Sequence, residues 1–264
     1  MAVKVMRSAL LALVLLTATG PIAAQTTGGS APGDRDSRRL LQRFVEDAAI
    51  LPGGWVEGQL VYADLPDDAS RWSLGTLLAF NVTDQMEAGL RFSFLKVDAD
   101  PEPEGSGLSD IDLYAKYRFH GGAGRCAAGG LVKVPTADEE EGLGTGQTDV
   151  EGFFACRADL AAVTLAGNLG ARYNGDPDPP LPVANASMLA GGALLLPISP
   201  QNTFLIEATY ESERLEDSGS DARLTLGFQG VAHSPGFGFR GGVALPLSDG
   251  APDYEILFGA VYLF

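Results

Sequence analysis

YEILFGAVYLF, residues 254–264, closes the chain, and its reading decides the fold. Alternate residues of an extended strand point to opposite faces. Ile256, Phe258, Ala260, Tyr262 and Phe264 therefore share one side, which is entirely apolar, while Glu255, Leu257, Gly259, Val261 and Leu263 share the other. One face suits hydrocarbon, and the other can border a filled or watery interior.

Working back from this stretch, the same alternation predicts about twelve strands: 55–64, 71–82, 86–97, 110–119, 126–134, 148–159, 163–173, 185–196, 203–212, 222–230, 237–245 and 254–264. In the clearest of them, Ile111, Leu113, Ala115, Tyr117 and Phe119 oppose Asp112, Tyr114, Lys116 and Arg118. The connections alternate in length. Short ones fall at 83–85, 120–125, 160–162, 197–202 and 231–236, and longer, more acidic ones at 65–70, 98–109, 135–147, 174–184, 213–221 and 246–253. That rhythm, with an even strand count, is the layout of an all-β, transmembrane antiparallel β-barrel whose two ends lie on the same, periplasmic, side. No apolar run reaches the roughly 20 residues of a spanning helix, so a membrane location requires a closed barrel.

The start of the chain fits export. Lys4 and Arg7 precede an apolar run and the small residues Ala23 and Ala24, the order of a secretory signal, with cleavage expected after Ala24. Three regions follow: residues 1–24 as signal, 25–53 as an N-terminal periplasmic segment, and 54–264 as the barrel. Within the second, Leu40, Leu41, Phe44, Val45, Ala48 and Ala49 recur at helical spacing, which predicts a short amphipathic helix over 37–51 that either rests at the periplasmic mouth or enters the lumen as a plug. The net charge of −16 becomes −18 once Lys4 and Arg7 leave with the signal. So acidic a chain, with no basic run, excludes nucleic acid as a partner.

Parity places a mixed set of charges on the inward face: Arg91, Asp110, Asp112, Lys116, Arg118, Lys133, Asp149, Glu151, Arg157, Arg172, Glu207, Arg223 and Arg240, with Glu57, Glu87, Glu211 and Glu255. Two readings stay open. Rows of opposite sign can select solutes at a constriction. Equally, they can pair across strands and fill the interior, as buried charges do. The run Asp138, Glu139, Glu140 and Glu141 reads as a solvated loop before a divalent-cation site, and no metal or cofactor is expected. Folding the hairpin about Glu141 sets Cys126 opposite Cys156 on the outward face, within range of a disulfide in an oxidising compartment; two free thiols are the other possibility. The two histidines, His120 and His233, both fall in periplasmic turns, away from any serine near the outer leaflet, so the chain is not expected to be an enzyme such as a lipid hydrolase.

The closing strand with its terminal Phe264 resembles the last strand of bacterial outer-membrane barrels, in which it serves as the assembly signal. A more specific likeness runs through Lys116, Tyr117, Arg118 and Phe119, then Lys133, Val134, Pro135 and Thr136, then Gly144, Gly146 and Asp149, then Asn168 and Gly170. This pattern resembles the outer-membrane protein family named for the MetA pathway of phenol degradation. The resemblance implies an outer-membrane channel for small, aromatic or hydrophobic solutes. The other candidate is a structural or adhesive barrel with a packed lumen and acidic external loops. The expected surroundings are outer-membrane lipid and lipopolysaccharide, with the barrel-assembly machinery met during biogenesis. A monomer is expected.

Overall fold

The computed structural model describes residues 38–51, 53–66, 69–98, 105–119, 124–175, 184–214, 219–231 and 236–264. The expected signal, Pro52, both histidines and the acids Asp100, Glu102 and Glu104 lie outside the described residues. The strands are β1 (Gly54–Asp64), β2 (Ser70–Thr83), β3 (Met86–Asp98), β4 (Gly105–Leu108), β5 (Ile111–Arg118), β6 (Gly124–Val134), β7 (Asp149–Asp159), β8 (Thr164–Tyr173), β9 (Ala186–Pro197), β10 (Asn202–Glu211), β11 (Asp221–Val231), β12 (Phe237–Pro246) and β13 (Tyr254–Leu263). All pairings are antiparallel between neighbours, and β1 pairs with both β2 and β13, so the sheet closes on itself. β4 and β5 both pair with β3, one after the other, and share one place in the wall. The fold is thus a closed barrel of twelve strand positions.

Each of the twelve expected strands lies within two residues of an observed one. β4 is an addition, inside the expected 98–109 loop. Its sequence, GSGL, has too few side chains for alternation to be read. Residues 109–111 stand against only Phe92 and Ser93, a bulge that Ser109 bridges by donating its N–H to Ser93 O at 2.7 Å and accepting the Ser93 N–H on its Oγ at 2.9 Å.

The outer wall carries exposed Leu60, Leu74, Phe94, Leu113, Leu169 and Phe258, the surface of a barrel that meets hydrocarbon. Aromatic rings group towards both rims: Tyr62 lies 4.8 Å from Trp72 and 5.9 Å from Tyr254, and Phe80 lies 5.9 Å from Phe264. The C-terminus completes the ring. Gly54 N donates to Phe264 O at 3.1 Å and Phe264 N to Gly54 O at 2.9 Å. Gly53 has φ 81°, and a β-carbon there would meet Phe264 O at 2.6 Å, so only glycine fits.

Residues 38–51 lie inside the barrel, and from Phe44 to Leu51 every residue is buried. Here the expected helix is corrected: the segment is a series of bends and turns. Wall side chains take the backbone hydrogen bonds that a helix would have kept for itself. Leu41 N and Gln42 N donate to the two oxygens of Glu207 at 2.8 and 3.2 Å, and Arg39 N donates to Gln229 Oε1 at 3.1 Å. On the acceptor side, Leu40 O takes Arg240 Nη1 at 2.7 Å, Asp47 O takes Lys116 Nζ at 3.0 Å and Arg38 O takes Arg157 Nη2 at 2.8 Å. The apolar residues behind the predicted helix are still buried, but around the whole ring. Phe44, Val45 and Leu51 pack with Trp55, Leu77, Tyr114 and Leu131, while Ala48 packs with Ala127, Phe153 and Ala155, and Leu41 with Leu195 and Leu205.

Candidate functional site

The lumen is the candidate site, and its lower part is a closed ionic core. Glu87 is the acceptor at its centre: Lys116 Nζ lies 3.1 Å away, Arg39 Nη2 3.5 Å, Trp55 Nε1 donates at 3.0 Å and Tyr114 Oη at 3.2 Å. Arg240 clasps Glu57 with Nε and Nη2 at 2.5 and 2.6 Å and stacks on the Phe44 ring at 3.9 Å. Arg157 holds Asp47 at 3.1 Å, both side chains wholly buried. Burial would raise the Asp47 carboxyl, but Arg157, Arg39 and Lys116, with the Ala49 amide, outweigh it and hold the group below the ordinary carboxylate range. Arg125 pairs with Asp159, which also accepts from Thr164 Oγ1 at 2.7 Å. Charges so deeply buried persist only when they are met on several sides, as the Glu87 and Asp47 carboxylates are here.

Above the segment the cations are less deeply buried. Arg172 reaches Glu151 at 2.8 Å and Glu211 at 2.6 Å, and Arg43 of the segment reaches Glu46 at 2.9 Å and Glu211 at 3.8 Å. Arg91 reaches Asp112 at 2.8 Å. Arg223 meets Glu255 at 2.5 Å, and Gln42 Nε2 of the segment donates to the same carboxylate at 3.2 Å. At the outer end Lys133 bridges Asp149 at 2.9 Å and Asp110 at 3.4 Å, while Asp110 Oδ1 accepts the Thr136 and Ala137 amides, each at 3.0 Å.

Of the thirteen inward residues picked from the sequence, the structure brings twelve to the lumen wall. Arg118 departs from the reading. It sits at the periplasmic rim, donating to Asp84 O of the β2–β3 turn at 3.0 Å, because its strand ends there. Sequence reasoning missed Arg39, Arg43, Glu46 and Asp47, the segment's own half of the ionic core. Their signal was charge interleaved with the apolar residues of 38–51, which a helical wheel assigns to solvent. Cys126 and Cys156 are paired in register and joined by a disulfide on the outward face. The acids at 138–141 form a turn in which Glu140 N donates to Asp138 Oδ1 at 3.0 Å, and among the described residues no cluster of His, Cys, Asp or Glu is arranged to hold a metal.

No family model and no curated protein matches the sequence. Solved structures do match the fold. The COG4313 outer membrane channel from Pseudomonas putida F1 superposes with a TM-score of 0.67 at 16% identity, over 81% of this chain and 97% of that one. The NanC porin gives 0.56 at 9% identity over 79% and 100%, and the KdgM porin 0.54 at 9% identity over 80% and 99%. At such identities the likeness is one of fold: this chain is similar to outer-membrane barrels of the channel and porin kind.

Proposed function

We propose that the chain is a small-molecule channel of the bacterial outer membrane, narrowed from within by residues 38–51. The observation that carries this reading is the lumen itself: charged, locked below by the segment, and reached by water above it, where 41% of the Arg91 side chain is exposed. A barrel with only a structural role has no need of a water-accessible vestibule. The similar structures named channel and porin support the same reading, as does the resemblance to the MetA-pathway family, which adds aromatic or hydrophobic solutes as the cargo. In this view the barrel works as a monomer, and residues 25–53 act as its gate.

Single-channel conductance of the refolded mature protein in planar bilayers, with and without residues 25–53, tests the proposal. Stepwise conductance that grows when the segment is removed is expected. A folded barrel silent in both forms would overturn it and favour the rival structural barrel. That rival draws on the many lumen charges that are buried in pairs, such as Arg157 with Asp47 and Lys116 with Glu87.

A further inference from the structure

We propose that the inner wall of β2 and β3 is a binding track for small organic anions, with Arg71 at its outer end and Arg91 at its inner end. It rests on the channel reading in one respect: the solute must reach the upper lumen from outside.

Water reaches this wall more than the others: Arg71 and Arg91 are 39% and 41% exposed, against 15% for Arg172 on β8, 21% for Glu211 on β10 and 16% for Arg223 on β11. On the inner face of the two strands, Arg71, Ser73, Gly75, Arg91, Ser93 and Leu95 are all partly exposed. Glu151, Ser187, Thr209 and Leu257, on the inner faces of β7, β9, β10 and β13, are buried. The opening that the segment leaves is therefore widest along β2 and β3.

The track shows one sign of charge to that water. Between its two arginines it carries Ser73, Gly75, Ser93 and Leu95, and no acid. Both arginines do have carboxylate partners, but on other strands, Glu255 on β13 and Asp112 on β5, and set back from the water. Arg71 is 39% exposed against 4% for Glu255, and Arg91 is 41% exposed against 16% for Asp112. The cause is side-chain length on a concave wall. Aspartate stays close to the sheet, whereas a guanidinium extends towards the barrel axis, so a pair that is neutral in sum presents its cation to the lumen.

Each arginine also keeps donors in hand. Arg91 spends Nε and Nη2 on the same oxygen, Asp112 Oδ2, at 2.9 and 2.8 Å, and its Nη1 has no protein acceptor among the described residues. Among the described residues Arg71 has one polar partner, Glu255 Oε1 at 3.5 Å, longer than a charge-assisted hydrogen bond. The planar, permanently charged guanidinium matches a carboxylate better than any other side chain does. Arg71 pairs in register with Val97, six residues along β3 from Arg91, a separation of about 20 Å. A small solute cannot touch both at once. Arg71 is thus the capture point and Arg91 the deeper site.

The test is calorimetric titration of the refolded full chain with benzoate, benzamide and benzylammonium, which share a ring and differ in charge. Benzoate is expected to bind at least about tenfold more tightly than the other two, and Arg91→Gln to weaken it by about tenfold or more, the scale of one lost charge-assisted hydrogen bond. The neutral pair Arg91→Gln/Asp112→Asn guards against an effect of stranding Asp112 and should lose benzoate equally. Equal binding of benzoate and benzamide, a preference for benzylammonium, or benzoate affinity unchanged in both variants would overturn the track. Conductance separates this from the channel reading. A silent barrel that binds benzoate through Arg91 sinks the channel and keeps the site, while a conducting barrel indifferent to ligand charge sinks the site alone.

Discussion

Arg157 and Arg91 are both lumen arginines paired with an aspartate, at 3.1 and 2.8 Å, and they do opposite things. Arg157 and Asp47 have no exposed side-chain surface and bind the segment to the wall, whereas Arg91 and Asp112 are 41% and 16% exposed and offer a charge to water. The length of an ion pair therefore says little about its role. What decides is the medium around it: in the dry lower lumen the pair is structure, and in the wet upper lumen it is a surface.

The largest expected effect breaks the dry side. Arg157→Met with Asp47 left in place removes the direct ion-pair partner of a buried carboxylate, and the cost should be about 3–5 kcal/mol. It would be read as lost amide protection across residues 38–51 in hydrogen exchange and as a lower unfolding free energy in lipid vesicles. Replacing both partners, as Arg157→Met/Asp47→Leu, should recover most of the loss, since well-packed apolar groups can substitute for a buried pair. A single variant costing less than about 1 kcal/mol, the range of exposed pairs, would mean that the segment is held by other means.

Glu207→Gln comes next. The carboxylate accepts Leu41 N on Oε2 at 2.8 Å and shares Gln42 N between Oε1 at 3.2 Å and Oε2 at 3.4 Å, and an amide keeps only one of these two oxygens as an acceptor. The expected cost is about 1–3 kcal/mol, concentrated in the exchange rates of those two amides. Uniform loss across the segment would instead point to a general loosening of the barrel.

The barrel was legible in the sequence because its cause is local. Period-2 alternation sets which side chain meets lipid, and strands of this kind can satisfy their backbone only by closing. That is why 55–64, 110–119 and 254–264 could be placed within two residues. Residues 38–51 were not legible for the opposite reason. Leu41, Phe44, Val45 and Ala48 carry helical spacing, but that spacing records burial without saying who takes the backbone bonds, and Glu207, Gln229, Lys116 and Arg240 lie more than 60 residues away in the chain. The wet side of the lumen was equally hidden. Parity put Arg91 and Arg157 on the same inward face, but only the fold of the segment decides which of them water reaches.

On the wet side the same chemical change should do least. Asp112→Asn removes the partner of a guanidinium that water already touches, and solvent replaces the lost acceptor, so the expected cost is within about 0–1 kcal/mol. A double-mutant cycle with Arg91→Gln isolates the pair. Its coupling energy, from unfolding in vesicles, should stay below about 1 kcal/mol and shrink further between 0.1 and 1 M salt, where the screening length falls from about 10 to 3 Å. The dry pair gives the scale against which this is judged. A coupling at Arg91–Asp112 as large as the loss at Arg157, and insensitive to salt, would mean that water does not reach the β2–β3 wall. The two regions would then be one closed core, and the vestibule on which both the channel and the anion track depend would be gone.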